Sequence, residues 1–541
     1  MVMTIPGVVD AALAARVRAL AAAIEHQPPA GMVEVVPAFS SVAVFHDPAL
    51  AGGYARLSRE LEALADRSEL AVVSQQPREV EIPVCYGGAH GLDLESVAAR
   101  CGLAAREVVA LHAGADYLVH AIGFVPGFPY LGGLPDRLAT PRRPTVRREV
   151  PAGSVGIGGA QTGIYPLATP GGWNLIGRTP RRLFDQARAE AALLRAGDRV
   201  RFRPVESDTY EDLAVAEVTE ELSPDVGSAD GTDGAGAIEV IRPGMFTTVQ
   251  DLGRVGHRAE GVVASGAVDL LALRLANLLV GNSENVAGLE FTLVGPELRF
   301  RRDTLVALGG GECDGLPAWL PLRVTAGTRL RLGPLRRGCR GYVAFAGGLE
   351  VPPALGSRST YVRAGLGGLA GRPLQAGDVL HLPEVHREVT GNWRIDERIL
   401  PSYSDAPEVR VLRGAQDQGL EEFCGDDFVL TTQADRMGAR LRGPVLSRRP
   451  ADDLVSSPVA PGTVQVPPDG QPIVLLADAQ TIGGYPQLAH IASVDLPLVA
   501  QLRPGDRLRF REVTLDEAHE LAVDRERDIA MLREGLAQKF A

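Results

Sequence analysis

The chain has 541 residues, of which 45% are hydrophobic and 23% are charged, and its formal net charge is -12. Such a composition indicates a globular protein of several domains, and the negative charge argues against nucleic-acid binding, because phosphate backbones require a basic surface. Lys539 is the single lysine beside 54 arginines (55 Lys+Arg minus 1), which excludes a lysine-containing phosphate loop, a plausible Schiff base or Ser-Lys nucleophile, and an internal biotinyl lysine.

The first 80 residues alternate helical and strand-like patterns. Helical spacing in "AALAARVRALAAAIEH" is followed by the strand-like runs "MVEVVP" and "SVAVF" and by a second helical stretch, "PALAGGYARLSRELEALADR". We predict an α/β domain over residues 1–80. The chain shows no secretion signal and no apolar run of about 18 residues that could span a membrane. The five cysteines are scattered without a C-x-x-C pair, so we predict reduced thiols and a cytoplasmic protein.

From Glu81 onward, short apolar alternations are broken by glycine and proline, which favours small β-barrels over βαβ units. We predict one barrel over residues 81–215 and two more over residues 238–386 and 387–541. Residues 216–237 between them contain "SPDVGSADGTDGAGA", a composition typical of a flexible linker. The halves on either side should therefore associate even when they are not covalently joined. A capping box, Thr514 with Glu517, predicts a C-terminal helix.

Two phrases recur along the chain. "AQTGIYP" (residues 160–166) resembles "AQTIGGYP" (residues 479–486), and each precedes a Gly-Asp turn with an alternating strand, "LLRAGDRVRFRPV" or "QLRPGDRLRFREV". "LQAGDVLHLPEV" is a weaker third relative. The repeats predict three barrels of related design. We expect Gln161 and Gln480 to occupy equivalent places, each facing a polar pocket; the alternative is that each glutamine holds its own loop.

"GFVPGFPYLGGLP" (residues 123–135) cannot form a regular helix or strand, because it holds prolines and glycines throughout. Such a loop could wall a pocket for a flat small molecule or form a packed corner, and both interpretations stay open. Glycine-rich segments after it carry arginines that could bind an anion. In the second part, carboxylates, amides and arginines are concentrated in glycine-rich loops, which favours a polar site. No metal-ligating cluster is visible.

At these residues the chain resembles two families. The first part is similar to the KipI family (also known as allophanate hydrolase subunit 1 or the 5-oxoprolinase B subunit) through "IPVCYGG", "GFVPGFPYLGG", "VPAGSVGIGGAQTGIYP" and "TPGGWNLIGRT". The second part is similar to the KipA family (allophanate hydrolase subunit 2 or the 5-oxoprolinase C subunit) through "FAGGLEVPPALGSRSTY", "ADRMGARLRG" and "GTVQVPPDGQPIVLLADAQTIGGYP". The resemblance implies a mainly β fold of tandem cyclophilin-like β-barrels with an α/β N-terminal part. The strand that usually precedes the first helix is expected to be missing.

The resemblance implies a component of an ATP-dependent 5-oxoprolinase, which opens 5-oxoproline to glutamate with a LamB/YcsF-type partner. ATP and Mg²⁺ are then the expected cofactors, and the resemblance leaves a homo-oligomer open. The residues expected to act in catalysis are His112, Gln161, Asp435, Asp478 and Gln480. Those expected to bind substrate are Phe124, Phe128, Tyr130, Arg142, Arg143, Thr162, Tyr165, Trp173, Arg178, Gln250, Asp251, Arg254, Ser265, Asp269, Arg358, Arg436, Gln465, Thr481 and Tyr485.

Two other functions stay open. The same domains form the carboxyltransferase part of a urea carboxylase, in which case a partner would supply biotin. KipI-like and KipA-like proteins also regulate a histidine kinase, although fusing an inhibitor to its antagonist makes little regulatory sense. An amidase-type allophanate hydrolase is excluded, since its serine-lysine machinery has no lysine here.

Overall fold

The computed structural model describes residues 1–47, 49–50, 53–70, 77–221, 237–385, 393–447 and 454–540. We call residues 1–221 the N-terminal half and residues 237–540 the C-terminal half. The linker predicted within residues 216–237 lies mostly outside the described residues. Within those residues, no helix combines the length and apolar character needed to cross a bilayer. All five cysteines are free thiols.

The N-terminal domain is a three-stranded antiparallel sheet, ordered β1-β3-β2, with two helices packed on it. The Asp10 carboxylate accepts the Leu13 N–H at 2.8 Å and caps the first helix. The strand expected to be missing before this helix is present as β1, so that expectation is wrong. The elements are β1 (Val2–Thr4), α1 (Ala11–His26), β2 (Met32–Pro37), β3 (Ser41–His46) and α2 (Tyr54–Leu70).

A closed barrel completes the N-terminal half, with strand order β11-β4-β12-β5-β6-β9-β8. Aliphatic side chains such as Ile82, Val119 and Ile157 alternate inward and are fully buried in its core. Its elements are β4 (Glu79–Tyr86), α3 (Leu94–Cys101), α4 (Ala105–Ala113), β5 (Tyr117–Ile122), β6 (Pro129–Gly132), β7 (Arg147–Val150), β8 (Ser154–Gly158), β9 (Gln161–Ile164), β10 (Thr169–Gly171), β11 (Asn174–Arg178), β12 (Arg199–Pro204) and α5 (Ser207–Glu221).

The C-terminal half begins with an eight-stranded sheet that does not close, whose main path is β14-β15-β19-β16-β13-β20. Helix α6 packs on it, and Asp269 caps that helix by accepting the Ala272 N–H at 3.0 Å. The elements are β13 (Ile238–Arg242), β14 (Phe246–Gln250), α6 (Leu270–Leu279), β15 (Gly288–Thr292), β16 (Val294–Phe300), β17 (Thr304–Cys313), β18 (Pro321–Val324), β19 (Arg329–Phe345) and β20 (Val379–Leu380).

A second closed barrel follows, ordered β21-β28-β25-β26-β23-β22-β29. The predicted C-terminal helix is present, and the Thr514 hydroxyl accepts the Glu517 N–H at its start. The elements are β21 (Glu408–Arg413), α7 (Leu420–Gly425), β22 (Phe428–Leu430), β23 (Gly438–Arg442), β24 (Ser457–Pro458), β25 (Thr463–Gln465), β26 (Ile473–Leu475), β27 (Ile482–Gly483), β28 (Gln487–Ile491), α8 (Leu496–Ala500), β29 (Arg507–Glu512) and α9 (Leu515–Phe540). These two barrels and the open sheet confirm the predicted mainly β fold class, but the barrel predicted over residues 238–386 is an open sheet instead.

The three Gly-Asp phrases share one turn. In each, the aspartate carboxylate accepts the backbone N–H of the residue three positions earlier, at 2.9 Å for Asp198, 2.7 Å for Asp378 and 2.7 Å for Asp506. The strands that follow differ in direction. Strands β12 and β29 run parallel to the first strands of their barrels, whereas β20 runs antiparallel to β13. The third copy therefore repeats the turn within a sheet of different topology.

The expectation that Gln161 and Gln480 occupy equivalent places is wrong. The two closed barrels have the same strand order when β9 is matched with β26. The two-stranded sheet of β7 and β10, outside the first barrel, then corresponds to the two-stranded sheet of β24 and β27 outside the second; we call each of these sheets an outer pair. Gln161 begins the barrel strand β9, whereas Gln480 lies just before β27, outside the barrel. The segments that correspond to each other are "TPGGW" (residues 169–173) and "TIGGY" (residues 481–485), because each supplies one strand of its outer pair.

Candidate functional site at the junction of the two halves

The glycine- and proline-rich segment, residues 123–135, contains the barrel strand β6 (Pro129–Gly132), so the expectation that it forms no regular strand is wrong. Its aromatic side chains are packed together with Tyr165 and Trp173. Phe128 is 2% exposed and makes edge-on contacts with Phe124, Tyr130, Tyr165 and Trp173, at centroid distances from 5.0 to 5.7 Å. Such edge-to-face geometry stabilises aromatic clusters. All five residues were predicted to bind substrate, and Phe124, Phe128 and Tyr130 were considered as the wall of a pocket. The structure instead supports the packed-corner interpretation.

This loop is also where the N-terminal half meets the C-terminal half. The Gly127 N–H donates to the Glu260 carbonyl at 2.8 Å. A Cβ at Gly123 would lie 2.8 Å from the Ile482 side chain, and Ile482 belongs to the aromatic cluster. Glu260 and Ile482 each stand a few residues from Ser265 and Asp478 along the chain. The loop therefore supports both segments that carry the polar cluster described next.

Arg436 lies at the centre of a buried polar cluster between the open sheet and the second barrel. Its Nε donates to Asp478 Oδ2 at 2.9 Å, its Nη1 donates to Glu290, and its Nη2 donates to the Gly266 carbonyl at 2.6 Å. The Ser265 hydroxyl donates to Asp478 Oδ1 at 2.7 Å. The three charged residues are at most 7% exposed. A planar guanidinium with three separately used nitrogens fixes these groups in one geometry.

The opposite charges in this cluster stabilise each other's ionised forms. Burial alone would raise the pKa of Glu290, but Arg436 and Arg340 outweigh burial and hold that pKa below its ordinary value. Burial likewise opposes the charge of Arg436, yet Asp478 and Glu290 raise the pKa of its guanidinium well above the ordinary value. Both groups are therefore ionised at neutral pH.

A second network continues from Ser265 toward strand β14. The Thr360 carbonyl accepts from Gln250 Nε2 at 3.1 Å, and the Ser265 hydroxyl oxygen, which donates its hydrogen to Asp478, lies 3.0 Å from the same carbonyl oxygen. Arg254 Nη2 donates to the neighbouring Ser359 carbonyl at 2.5 Å. Ser265 holds a φ of 55°, a left-handed conformation that costs free energy for a residue with a Cβ. The network thus combines a strained serine with buried amide and guanidinium groups.

Four predicted substrate-binding residues of the C-terminal half each bury a polar atom for which the protein provides no hydrogen-bond partner. The atoms are Gln250 Oε1, Arg254 Nη1, Gln465 Nε2 and Thr481 Oγ1, and the residues are at most 3% exposed. Buried polar groups in native proteins are nearly always satisfied. These four atoms therefore call for a ligand or bound water. Because they include donors and an acceptor, they suit an amide-like molecule.

The predicted anion-binding arginines of the N-terminal half are mostly engaged. Arg143 Nη1 donates to Asp93 Oδ1 at 2.8 Å, and Arg178 Nε donates to the Ala152 carbonyl at 2.7 Å. Arg142 is exposed and lies 5.9 Å from the centre of the Trp173 ring. The sequence analysis missed Asp93, whose carboxylate also accepts from Arg147. Arg142 is the one of the three predicted arginines with an exposed side chain.

His112 does not have the environment of a catalytic residue. It is fully buried in the first barrel and stacks on Phe202 at 4.6 Å. Thr162 donates its hydroxyl hydrogen to the Gly156 carbonyl at 2.9 Å, so it accepts from His112 Nε2 at 3.0 Å. Nδ1 then accepts from the Tyr86 hydroxyl at 2.8 Å. Both ring nitrogens of His112 are therefore hydrogen-bonded within the barrel. This arrangement indicates a structural role for His112, which was predicted to be catalytic, and for Thr162, which was predicted to bind substrate.

Burial of His112 predicts acid sensitivity. Desolvation lowers the pKa of His112 from 6.5 to about 3, so the unfolded chain takes up a proton on this group more readily than the folded chain. The contribution of His112 is fully present above pH 6.5 and declines as the pH falls toward 3, by about 2 kcal/mol between pH 6.5 and 5. Urea unfolding across this range should show a steeper loss of stability in the wild type than in His112→Gln, which keeps the smaller slope of other buried histidines such as His490. Equal slopes in the two proteins would contradict the prediction.

The remaining predicted residues lie in several environments. Asp435 is exposed and caps a turn by accepting the Met437 N–H at 2.8 Å. Asp269 is fully buried and accepts from the Tyr403 hydroxyl at 2.6 Å, which indicates a structural role. The residues whose side chains reach the surface in part or mainly are Gln161, Arg358, Gln480 and Tyr485. Asp251 is buried and accepts from Ser357 and from backbone N–H groups.

Glu290 and Glu34 were not predicted from the sequence. Each is an acidic residue within an otherwise apolar strand, in "GLEFT" and "MVEVVP". A charged residue at a buried strand position requires a partner, and this signal was available in the sequence. The identity of each partner was not, because Arg436 and Arg258 lie far away along the chain.

Each half of the chain matches known proteins. The carboxyltransferase domain family, subdomains C and D, matches residues 1–194, and subdomains A and B match residues 260–512. The C-terminal part is 40% identical to the 5-oxoprolinase C subunit of Escherichia coli over 303 residues, covering 54% of this chain and 96% of that protein. The N-terminal part is 46% identical to the 5-oxoprolinase B subunit of Bacillus subtilis over 204 residues, covering 36% of this chain and 84% of that protein.

The chain belongs to the family of the B and C subunits of 5-oxoprolinase. It joins the two types in one polypeptide, as the sequence analysis predicted. A solved structure, TTHA0988, superimposes with a TM-score of 0.81 at 36% identity and covers 94% of this chain and 99% of its own. The family also reaches urea amidolyase of Lachancea kluyveri, 33% identical over 56% of this chain and 18% of that protein.

Proposed function

We propose that this chain is the fused B and C component of an ATP-dependent 5-oxoprolinase, which opens 5-oxoproline to glutamate together with a LamB/YcsF-type protein. The observation that carries the proposal is that one chain covers 96% of a C subunit and 84% of a B subunit. The polar cluster between the open sheet and the second barrel, beside the contact of the two halves, is then the candidate substrate site.

The unpartnered polar atoms match the chemistry of a lactam. 5-Oxoproline presents a ring N–H, a ring carbonyl and a carboxylate. Gln250 Oε1 can accept the N–H, while Gln465 Nε2, Thr481 Oγ1 and Arg254 Nη1 can donate to the oxygens. Donors aimed at a carbonyl stabilise the negative charge that develops when water attacks it. We propose that these four residues recognise the lactam.

The described residues offer little for a nucleotide. Among them, no group of three or more His, Cys, Asp or Glu side chains is arranged to hold a metal ion. Arg143 already pairs with Asp93, and Arg436 pairs with Asp478 and Glu290. These two arginines already neutralise carboxylates of the chain itself, so they are not free to bind the phosphates of a nucleotide. We propose that ATP and Mg²⁺ are requirements of the complete assembly.

Partner dependence tests the proposal. We expect the purified chain alone to release no glutamate from 5-oxoproline, and the chain with the LamB/YcsF-type partner, ATP and Mg²⁺ to release it in step with ADP. Glutamate and ADP are measured together, and omission of each component serves as the control. Robust turnover by the isolated chain, or none by the full mixture, would contradict the proposal.

The similarity to urea amidolyase supports one alternative, the carboxyl-transfer part of a urea carboxylase. That reaction requires a biotin group on a partner. Incubation of the chain with a biotin carboxylase, biotinylated carrier, bicarbonate, ATP and urea distinguishes the two. Urea-dependent ADP release in that mixture, without glutamate release in the first, would favour the alternative.

A further inference from the structure

Arg254, in the loop after strand β14, is a buried cation without a carboxylate on its guanidinium. The residue is 1% exposed. Within the described part of the chain, the guanidinium donates to neutral backbone carbonyls, from Nη2 to Ser359 at 2.5 Å and from Nε to Ala354 at 3.4 Å. Nη1 is buried and has no partner. Arginine is almost never fully buried unless it is paired, so this guanidinium still lacks an anionic partner.

The two carboxylates whose charges act on Arg254 are already bonded to other groups. Asp251 accepts from the Ser357 hydroxyl at 2.6 Å and from two backbone N–H groups. Asp478 accepts from Arg436 Nε at 2.9 Å. Burial lowers the pKa of Arg254, and the charges of Asp251 and Asp478 oppose this effect without forming an ion pair. A direct anionic partner for this guanidinium is therefore left to a bound ligand.

Gln250 and Arg254 are anchored to consecutive peptide groups. Gln250 Nε2 donates to the Thr360 carbonyl, and Arg254 Nη2 donates to the Ser359 carbonyl. The guanidinium is also fixed by close packing, because Gly367 has a φ of 63° and a Cβ there would lie 2.9 Å from Nη2. The unpartnered Gln250 Oε1 and Arg254 Nη1 thus belong to side chains held by one short segment. A hydrogen-bond acceptor and a cation are presented side by side.

We propose that Arg254 selects substrates by charge, so that the site takes amides with a carboxylate beside the amide nitrogen and rejects neutral amides. This inference rests on the proposed lactam site and adds the orientation of the ligand in it. In 5-oxoproline one carbon separates the ring N–H from the carboxylate, which suits Gln250 Oε1 beside the Arg254 guanidinium. Gln465 and Thr481 then face the ring carbonyl. A neutral lactam, or urea, leaves Arg254 Nη1 buried and unpaired, and that cost provides the discrimination.

The test measures binding to the purified full chain by calorimetry. The ligands are 5-oxoproline, 2-pyrrolidinone, which is the same ring without the carboxylate, and 5-oxoprolinamide, in which a neutral amide replaces the carboxylate. We expect the wild type to bind 5-oxoproline roughly 100-fold more tightly than either neutral lactam. In Arg254→Met the three ligands should bind within about threefold of one another. Arg254→Lys keeps the charge without the planar fork and should retain part of the preference.

Arg302→Met is the matched control. Arg302 Nη2 also donates to backbone carbonyls, of Leu382 at 2.5 Å and of Pro383 at 2.6 Å, but Arg302 is not part of the polar cluster. Its loss should leave the preference for 5-oxoproline unchanged within about threefold. In the mixture with the partner protein, ATP and Mg²⁺, Arg254→Met should raise KM for 5-oxoproline more than it lowers kcat, because the carboxylate is bound equally before and during the reaction.

Each outcome decides a separate point. Equal affinity of the wild type for charged and neutral lactams would overturn charge selection and leave the lactam site standing. A preference that survives in Arg254→Met, or is lost equally in Arg302→Met, would overturn the assignment to Arg254. If Arg254→Met does not fold, Arg254→Lys and the wild-type comparison of the three ligands decide. If none of the three ligands binds, this inference falls together with the lactam site.

Discussion

Replacement of Arg436 by methionine should cost about 3–5 kcal/mol of the free energy of unfolding, because it removes the guanidinium that bridges two buried carboxylates. Glu290 and Asp478 would remain 1% and 6% exposed unless the structure opens. The Gly266 carbonyl would lose its donor as well. The loss is measured as the change in the urea midpoint multiplied by the slope of the unfolding transition.

Arg413→Met in the same barrel is the matched control. Arg413 pairs with Glu512 at 3.0 Å, but both side chains are more than 40% exposed, so its removal should leave the free energy of unfolding close to that of the wild type. The triple variant Arg436→Met, Glu290→Gln and Asp478→Asn should recover part of the loss, since it removes the unpaired charges. A change below about 1 kcal/mol for Arg436→Met would show that water reaches these carboxylates and that the cluster is not sealed.

The turns could be predicted from the sequence because their physics is local. The Gly-Asp phrases placed Asp198, Asp378 and Asp506 at turns, and the same side-chain to backbone hydrogen bond forms in all three. The direction of the next strand could not be predicted in this way. It depends on which strand the segment meets, and β20 meets β13 in the antiparallel sense.

The repeated glutamines show how local similarity misleads. Gln161 and Gln480 have similar residues beside them in the sequence. Gln161 nevertheless begins a barrel strand, whereas Gln480 lies just before a strand of the outer pair. The structural counterparts begin at Thr169 and Thr481, whose hydroxyls are both buried without a protein partner. The paired glycines within "TPGGW" and "TIGGY" therefore mark the equivalent positions of the two barrels better than the Gln-Thr pair does.

The buried polar cluster could be identified only from the structure. Its residues come from strands and loops more than one hundred residues apart, as with Arg436 and Glu290. The sequence singled out Arg436 and Asp478 but not the acid opposite them. It left open whether the aromatic loop would face a ligand or pack inward, and the structure packs the loop against Ile482. Long-range pairing of this kind follows from topology, which a single sequence does not reveal.

Substitution of Gln465 by methionine, or of Thr481 by valine, should reduce glutamate release by roughly 10²–10³-fold in kcat/KM, because each removes one donor aimed at the lactam oxygens. Neither change removes a hydrogen bond made within the protein by the affected atom. The free energy of unfolding should therefore stay within about 1 kcal/mol of the wild type or rise, since an unsatisfied buried group is lost. Partner-dependent glutamate release and urea unfolding are measured for each variant.

Thr169→Val is the matched control for this prediction. Thr169 is the counterpart of Thr481 in the first barrel, it is 1% exposed, and its hydroxyl is also without a protein partner. If the lactam lies in the C-terminal half, Thr169→Val should keep the activity of the wild type, while Thr481→Val loses it at equal stability. Loss of activity with Thr169→Val alone would move the substrate to the first barrel. Wild-type activity in both Thr481→Val and Gln465→Met would leave bound water as the partner of these atoms and remove them from the site.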